Sequence, residues 1–170
     1  MKLCKNDLGK IVIENEELSV MSDNGFYIGD PCFALSDEMY RDVWGLENDF
    51  KCGIIETEKG SFIAQNTIYG DGEYGSSVGN LAVESGTIAV IPLNLVDKEK
   101  VAGYGDDLKK FASIIPGTEA KLTWQTFECT EDPFFSIKGD YIIDIKNPDK
   151  VVRIGIGYDY ENGKDIDKTL

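Results

Sequence analysis

Three stretches of the C-terminal third decide the fold: Lys121-Leu122-Thr123-Trp124-Gln125, Tyr141-Ile142-Ile143-Asp144-Ile145-Lys146 and Val152-Arg153-Ile154-Gly155-Ile156-Gly157-Tyr158. In each, side-chain character switches from one residue to the next. Leu122 and Trp124 point opposite to Lys121, Thr123 and Gln125, and Val152, Ile154 and Ile156 point opposite to Arg153, Gly155 and Gly157. A period of two is the mark of a strand with one face in a core. Lys138-Gly139-Asp140, between Ile137 and Tyr141, predicts a tight hairpin. Upstream, residues 52–57 and 61–69 flank Glu58-Lys59-Gly60, and residues 81–83 and 87–91 flank Glu84-Ser85-Gly86, so each pair predicts a hairpin. Pro92 closes the second pair, since it cannot donate to a ladder. Phe26-Tyr27-Ile28 is a strand stopped by Gly29-Asp30-Pro31, while Lys10-Ile11-Val12-Ile13 and Leu18-Ser19-Val20-Met21 predict another strand pair.

Helix signals are few. Ser36 is an N-cap, Asp37 and Glu38 suit the first turn through the helix dipole, and Gly45 stands where a stop belongs. Met39, Tyr40, Val43 and Trp44 share a side, which predicts an aromatic face laid on a sheet. Residues 96–103 can hold a short helix capped by Asp97. Residues 106–115 fit a helix through Leu108, Phe111, Ala112 and Ile115, ended by Pro116-Gly117. About nine strands against one or two helices give an α+β, β-dominated fold. Its expected form is a single twisted antiparallel sheet curled toward a barrel or sandwich. Residues 1–170 form one expected domain, with 159–170 a polar, frayed tail.

Composition narrows the function. A chain of 170 residues, 42% hydrophobic, is long enough to build a core without staples. No stretch approaches the roughly 20 apolar residues of a membrane span. The N-terminus has no apolar leader, and four scattered cysteines without C-x-x-C read as reduced thiols, so a cytoplasmic setting is expected. The absence of histidine excludes Ser-His and Cys-His catalysis and every His-containing metal site. A net charge of −14 disfavours DNA, RNA and anionic membranes at long range. It leaves open a small anionic ligand held by a few local cations and amides. Arg41 and Arg153 are the only arginines and the natural bidentate partners of a phosphate.

Gly70-Asp71-Gly72-Glu73-Tyr74-Gly75 is a literal G-x-G-x-x-G, but a strand rather than a helix follows, so it is no dinucleotide fingerprint. With Tyr69 it reads in two ways. Tyr69 and Tyr74 can be flat platforms for a base, with Asp71 accepting from exocyclic amines, or the segment is a structural turn whose tyrosines pack on neighbours. Asp30 suits an Asx turn, and Trp44 is a lesser ligand candidate because its helical neighbours suggest core packing. Nothing in the sequence shows that Asp30, Asp71 and Glu73 meet, so a carboxylate hydrolase rests on unplaced residues. Cys32 lacks a histidine base. No metal ligand set, cofactor motif or catalytic residue emerges.

Tyr27-Ile28-Gly29-Asp30-Pro31-Cys32, Tyr69-Gly70-Asp71-Gly72-Glu73-Tyr74 and Ser85-Gly86-Thr87-Ile88-Ala89-Val90-Ile91-Pro92-Leu93, in this order, resemble a widespread family of small phage and bacterial proteins. The chain is also similar to phage-encoded anti-CBASS sponges. That resemblance implies a homo-oligomer, dimer or tetramer, that sequesters cyclic dinucleotides such as 3′,3′-cGAMP without cleaving them, in the host cytoplasm. No ligand-binding position is carried over from that resemblance; by their own chemistry the residues expected at a ligand site are Tyr69, Tyr74, Asp71, Arg41, Arg153 and Trp44, with no cofactor. The competing class is an acidic protein-interaction module: an inhibitor, an immunity protein or a nucleic-acid mimic.

Overall fold

The computed structural model describes the backbone of residues 2–5, 11–14, 17–67, 71–129, 136–155, 158–159 and 164–165, and side chains within 17–67, 71–123 and 141–155. In chain order the strands are β1 (Lys2–Lys5), β2 (Ile11–Glu14), β3 (Leu18–Met21), β4 (Phe26–Gly29), β5 (Gly53–Thr57), β6 (Gly60–Asn66), β7 (Gly72–Ser76) and β8 (Leu81–Val83). They continue as β9 (Thr87–Pro92), β10 (Ala112–Ile115), β11 (Glu119–Cys129), β12 (Ser136–Lys146), β13 (Lys150–Gly155), β14 (Tyr158–Asp159) and β15 (Lys164–Asp165). The fold is α+β and β-dominated, with a strongly curled antiparallel sheet and few helices.

The expected single sheet is divided. An eight-stranded sheet runs β1-β2-β11-β12-β13-β7-β8, with β3 also on β11, and a five-stranded sheet runs β10-β4-β9-β6-β5. The two share a core. Phe26, Ile28, Ile63, Ile88 and Val90 from the smaller sheet meet Leu122, Tyr141, Ile143, Val152 and Ile154 from the larger. The other face of the smaller sheet buries Tyr27, Ile55, Phe62, Ala64, Ala89 and Ile91 under the helical segments. Every residue of β9 is therefore buried, which explains the unbroken apolar run Ile88-Ala89-Val90-Ile91.

Four local expectations give way to longer-range pairing. The strands around 10–13 and 18–21 do not pair with each other, because β11 is long enough to hold β2 at Gln125–Glu128 and β3 at Glu119–Leu122. Glu84-Ser85-Gly86 is not a hairpin: β8 pairs with β7, β9 pairs with β4 and β6, and the chain changes sheets between them. Nor does Lys138-Gly139-Asp140 turn, since β12 runs through it in unbroken register with β11. Residues 112–115 form β10 against β4 instead of extending a helix. The 58–60 hairpin and Pro92 at the end of β9 are as expected. Most of the 159–170 tail lies outside the described residues.

Pro116-Gly117 carries the chain from the small sheet to the large one. Gly117 has φ +156°, and a β-carbon there would lie 2.3 Å from Ile145 Cγ2 and 3.0 Å from the Lys146 carbonyl oxygen. Only glycine lets the crossing chain lie so close to β12. Gly117→Ala is expected to cost about 1–3 kcal/mol, the range for overpacking. A urea midpoint equal to that of the parent protein would show that the crossing can relax.

Candidate functional site

The helix over 38–47 forms as a π-helix, Glu38–Glu47. Ser36 Oγ accepts from the Met39 N–H at 3.2 Å, so Ser36 caps it as expected. Gly45 does not stop it. Gly45 is buried inside the helix, and a β-carbon there would sit 2.6 Å from the Phe50 ring, so the missing side chain is the seat of that ring. Phe50 is held against it from a left-handed backbone, φ 50°, after Asp49 at φ 53°. Trp44 packs edge-on to Phe50, Tyr40 and Phe62, and its Nε1–H donates to the Lys51 carbonyl at 3.0 Å.

The IGDPC and SGT segments meet at Asp30. Its carboxylate is fully buried. Oδ1 accepts from the Cys32 N–H at 2.8 Å and the Ser85 hydroxyl at 2.7 Å. Oδ2 accepts from the N–H groups of Glu84 at 2.6 Å and Ser85 at 2.7 Å. The Tyr27 hydroxyl donates to the Asp30 carbonyl at 2.9 Å. Both carboxylate oxygens are thus taken up by donors from the chain itself, so Asp30 is an architectural anchor. Asp71 lies beside the same turn, with Oδ1 3.9 Å from where a Gly86 β-carbon would be. Asp30 and Asp71 thus flank one turn. Glu73 is exposed on β7.

The surrounding groups are kept neutral. Burial, then a hydrogen bond to Asp30, pushes the Cys32 thiol far above its ordinary value, so it is not a thiolate at neutral pH. Burial also raises Tyr40, while its hydrogen bond with Ser85 works the other way. Tyr104 is raised by burial and packs with Phe33 and Phe111 next to this turn.

The described residues of the expected ligand site are not gathered at one place. Tyr69 lies outside the described residues. Tyr74 is 4% exposed and packs in the core between the sheets, and Trp44 is 2% exposed. These rings are spent on packing, which corrects the picture of either as a platform on an open surface. Arg41 is exposed on the π-helix and pairs with Asp37 at 3.8 Å. Arg153 is exposed on β13, on the opposite side of the molecule's layers, because Val152 and Ile154 beside it face the core.

A second region was not legible in the sequence. Where the two sheets meet at β10, a cleft of about 370 Å³ opens between the 77–78 turn, the 3₁₀ segment Gly105–Lys110 and the start of β13. Val78, Leu108 and Ile114 give it apolar walls; Ser77, Ser113, Lys109 and Lys150 supply polar groups. Among the described residues no carboxylate lines it. Neither lysine is in an ion pair among the described residues. Arg153 borders it through its backbone, which donates N–H to Ser77 Oγ at 3.1 Å and accepts from the Ser77 N–H at 3.0 Å. Lys109 and Lys150 stand far apart in sequence, and only the sheet-to-sheet junction brings them together.

Together the fold and this cleft define a class, a layered β-rich protein with a cationic recess in an otherwise acidic body. No protein-family model, no curated protein and no solved structure matches the chain. Among the described residues no helix is long and apolar enough to cross a membrane, and no group of three or more acidic or cysteine residues is placed to hold a metal ion.

Proposed function

We propose that the protein binds a small phosphate-bearing ligand in the Lys109–Lys150 cleft and holds it without turnover. One observation carries this reading: in a chain of net charge −14, this recess is lined, among the described residues, by two lysines and two serines and no carboxylate. Charges beyond roughly 8–10 Å are screened at physiological salt, so the two lining lysines weigh more on a phosphate seated there than the distant carboxylates of the chain do. The apolar walls suit a base or sugar edge laid on a shallow, open site of about 370 Å³. The resemblance to anti-CBASS sponges points to a cyclic dinucleotide as the ligand. A second copy facing the cleft would enclose the larger half of such a molecule, consistent with the implied homo-oligomer. Stacking by Tyr69 and Tyr74 plays no part in this reading.

Calorimetry with a panel of cyclic dinucleotides, 3′,3′-cGAMP included, tests it. Binding should weaken at least tenfold, about 1.4 kcal/mol, in a Lys109→Glu/Lys150→Glu variant, and log affinity should fall with log salt. Both positions are exposed, so the variant should keep the parent's urea midpoint. Intact nucleotide recovered after the titration separates sequestration from hydrolysis. No heat with any member of the panel, or heat indifferent to the two lysines, sinks the reading.

A further inference from the structure

A different surface answers to a different partner. Between the π-helix and the β5–β6 turn runs a groove of about 510 Å³, with Met39 and Val43 as the apolar residues of its lining. Glu38 and Glu47 line its helix wall and Glu56 and Glu58 its hairpin wall, with Lys59 the one cation along it. None of these four glutamates is in an ion pair among the described residues. The same helix leaves Leu46 83% exposed, and its exit leaves Phe50 47% exposed. Single exposed apolar residues are ordinary, but two half-buried apolar side chains, Met39 and Val43, among four glutamates suit both the apolar face and the cations of an amphipathic segment. The carboxylates are spread along both walls, and no cluster that could hold a metal ion is present among the described residues. Complementary charge therefore belongs to an extended polymer.

We propose that this groove docks a basic amphipathic helix of a partner protein, its leucine-like face on Met39 and Val43 and its lysines or arginines against the two glutamate walls. The proposal is independent of the phosphate cleft, which uses other residues.

Fluorescence anisotropy with a labelled 16-residue Lys/Leu amphipathic peptide tests it. Three companions complete the set: a Lys/Ser peptide of equal charge, a Glu/Leu peptide, and spermine as competitor. The Lys/Leu peptide is expected to bind at least tenfold more tightly than the other two peptides. Glu47→Lys/Glu58→Lys should weaken it at least tenfold, while the charge-matched Glu99→Lys/Asp106→Lys, on exposed positions elsewhere, should leave it within twofold. Equal loss in the two double variants, or equal binding of the Lys/Ser peptide, would reduce the effect to net charge and overturn the proposal. Full displacement by micromolar spermine would assign the groove to a small polyamine and overturn it as well.

Discussion

Asp30→Asn is expected to lower the unfolding free energy by about 2–4 kcal/mol, and Asp30→Ala by more, without changing the dependence of stability on urea. The reason lies in donors rather than charge alone. Four donors converge on the two carboxylate oxygens: the N–H groups of Cys32, Glu84 and Ser85, and the Ser85 hydroxyl. An asparagine has the same outline but replaces one acceptor by an NH₂. If that group takes the Oδ2 place, it faces two backbone N–H groups. If it takes the Oδ1 place, Ser85 Oγ can rotate to accept, but the Cys32 N–H still faces a donor. Each buried donor left without an acceptor costs about 1–3 kcal/mol, and hydrogen bonds to a charged acceptor are the stronger kind. Alanine strands all four. Should Asp30→Ala fail to fold, Ser85→Ala keeps the idea testable, because it removes one donor and should cost only about 1 kcal/mol. A midpoint for Asp30→Asn equal to the parent's would mean that the turn at 84–86 is not held by this carboxylate.

That anchor also explains what a reader of the sequence misses. Glu-Ser-Gly between two apolar runs has the composition of a hairpin turn, and locally nothing contradicts it. The residue that decides otherwise stands 54 positions earlier, where Asp30 grips the Glu84 amide and sends the chain into the other sheet. Lys138-Gly139-Asp140 fails for the same reason, since eleven paired positions along β11 outweigh a local turn preference. What was legible is what local chemistry alone decides: the Ser36 and Asp97 caps, the Thr57–Gly60 hairpin, the aromatic face of Trp44 and the alternation of β13. Gly45 shows the limit of such signals. A glycine near a helix end announces a stop, yet here it makes room for Phe50, a contact that spacing cannot reveal. For the site the balance is worse. A tyrosine in a Gly-rich segment reads equally as a platform or as core, and burial at 4% decides for core in Tyr74. Lys109 and Lys150 carry no local mark at all, because a recess at a sheet junction is a property of topology.

Above pH 10 the protein is expected to lose stability steeply, through two phenols. Burial is the first cause that pushes Tyr27 and Tyr141 far above their ordinary value of 10.0, with nearby Asp30 adding to it for Tyr27 and Tyr74 for Tyr141. Both rings are fully buried, and both hydroxyls donate to backbone carbonyls, of Asp30 at 2.9 Å and of Asn66 at 2.6 Å. The folded state thus keeps two protons that the unfolded chain releases as pH passes 10. Since the unfolded state binds fewer protons, the unfolding free energy falls with pH, by about 1.4 kcal/mol per pH unit for each group. The stabilisation is complete below pH 10 and is lost only on rising through the window above it. The Cys32 thiol, raised from 9.0, acts in the same direction. Two phenols together remove about 3 kcal/mol per pH unit, against a total of about 5–15 kcal/mol for a typical domain, so alkaline unfolding should be cooperative. Tyrosinate absorbance should therefore rise in two stages, with Tyr27 and Tyr141 in the later one, which accompanies loss of the circular-dichroism signal of the fold. Tyr27→Phe separates the causes. It should cost about 1 kcal/mol at neutral pH by deleting the bond to the Asp30 carbonyl, yet flatten the slope above pH 10 by about 1.4 kcal/mol per pH unit because one of the late protons is gone. A variant whose slope matches the parent's would place the alkaline sensitivity elsewhere in the chain.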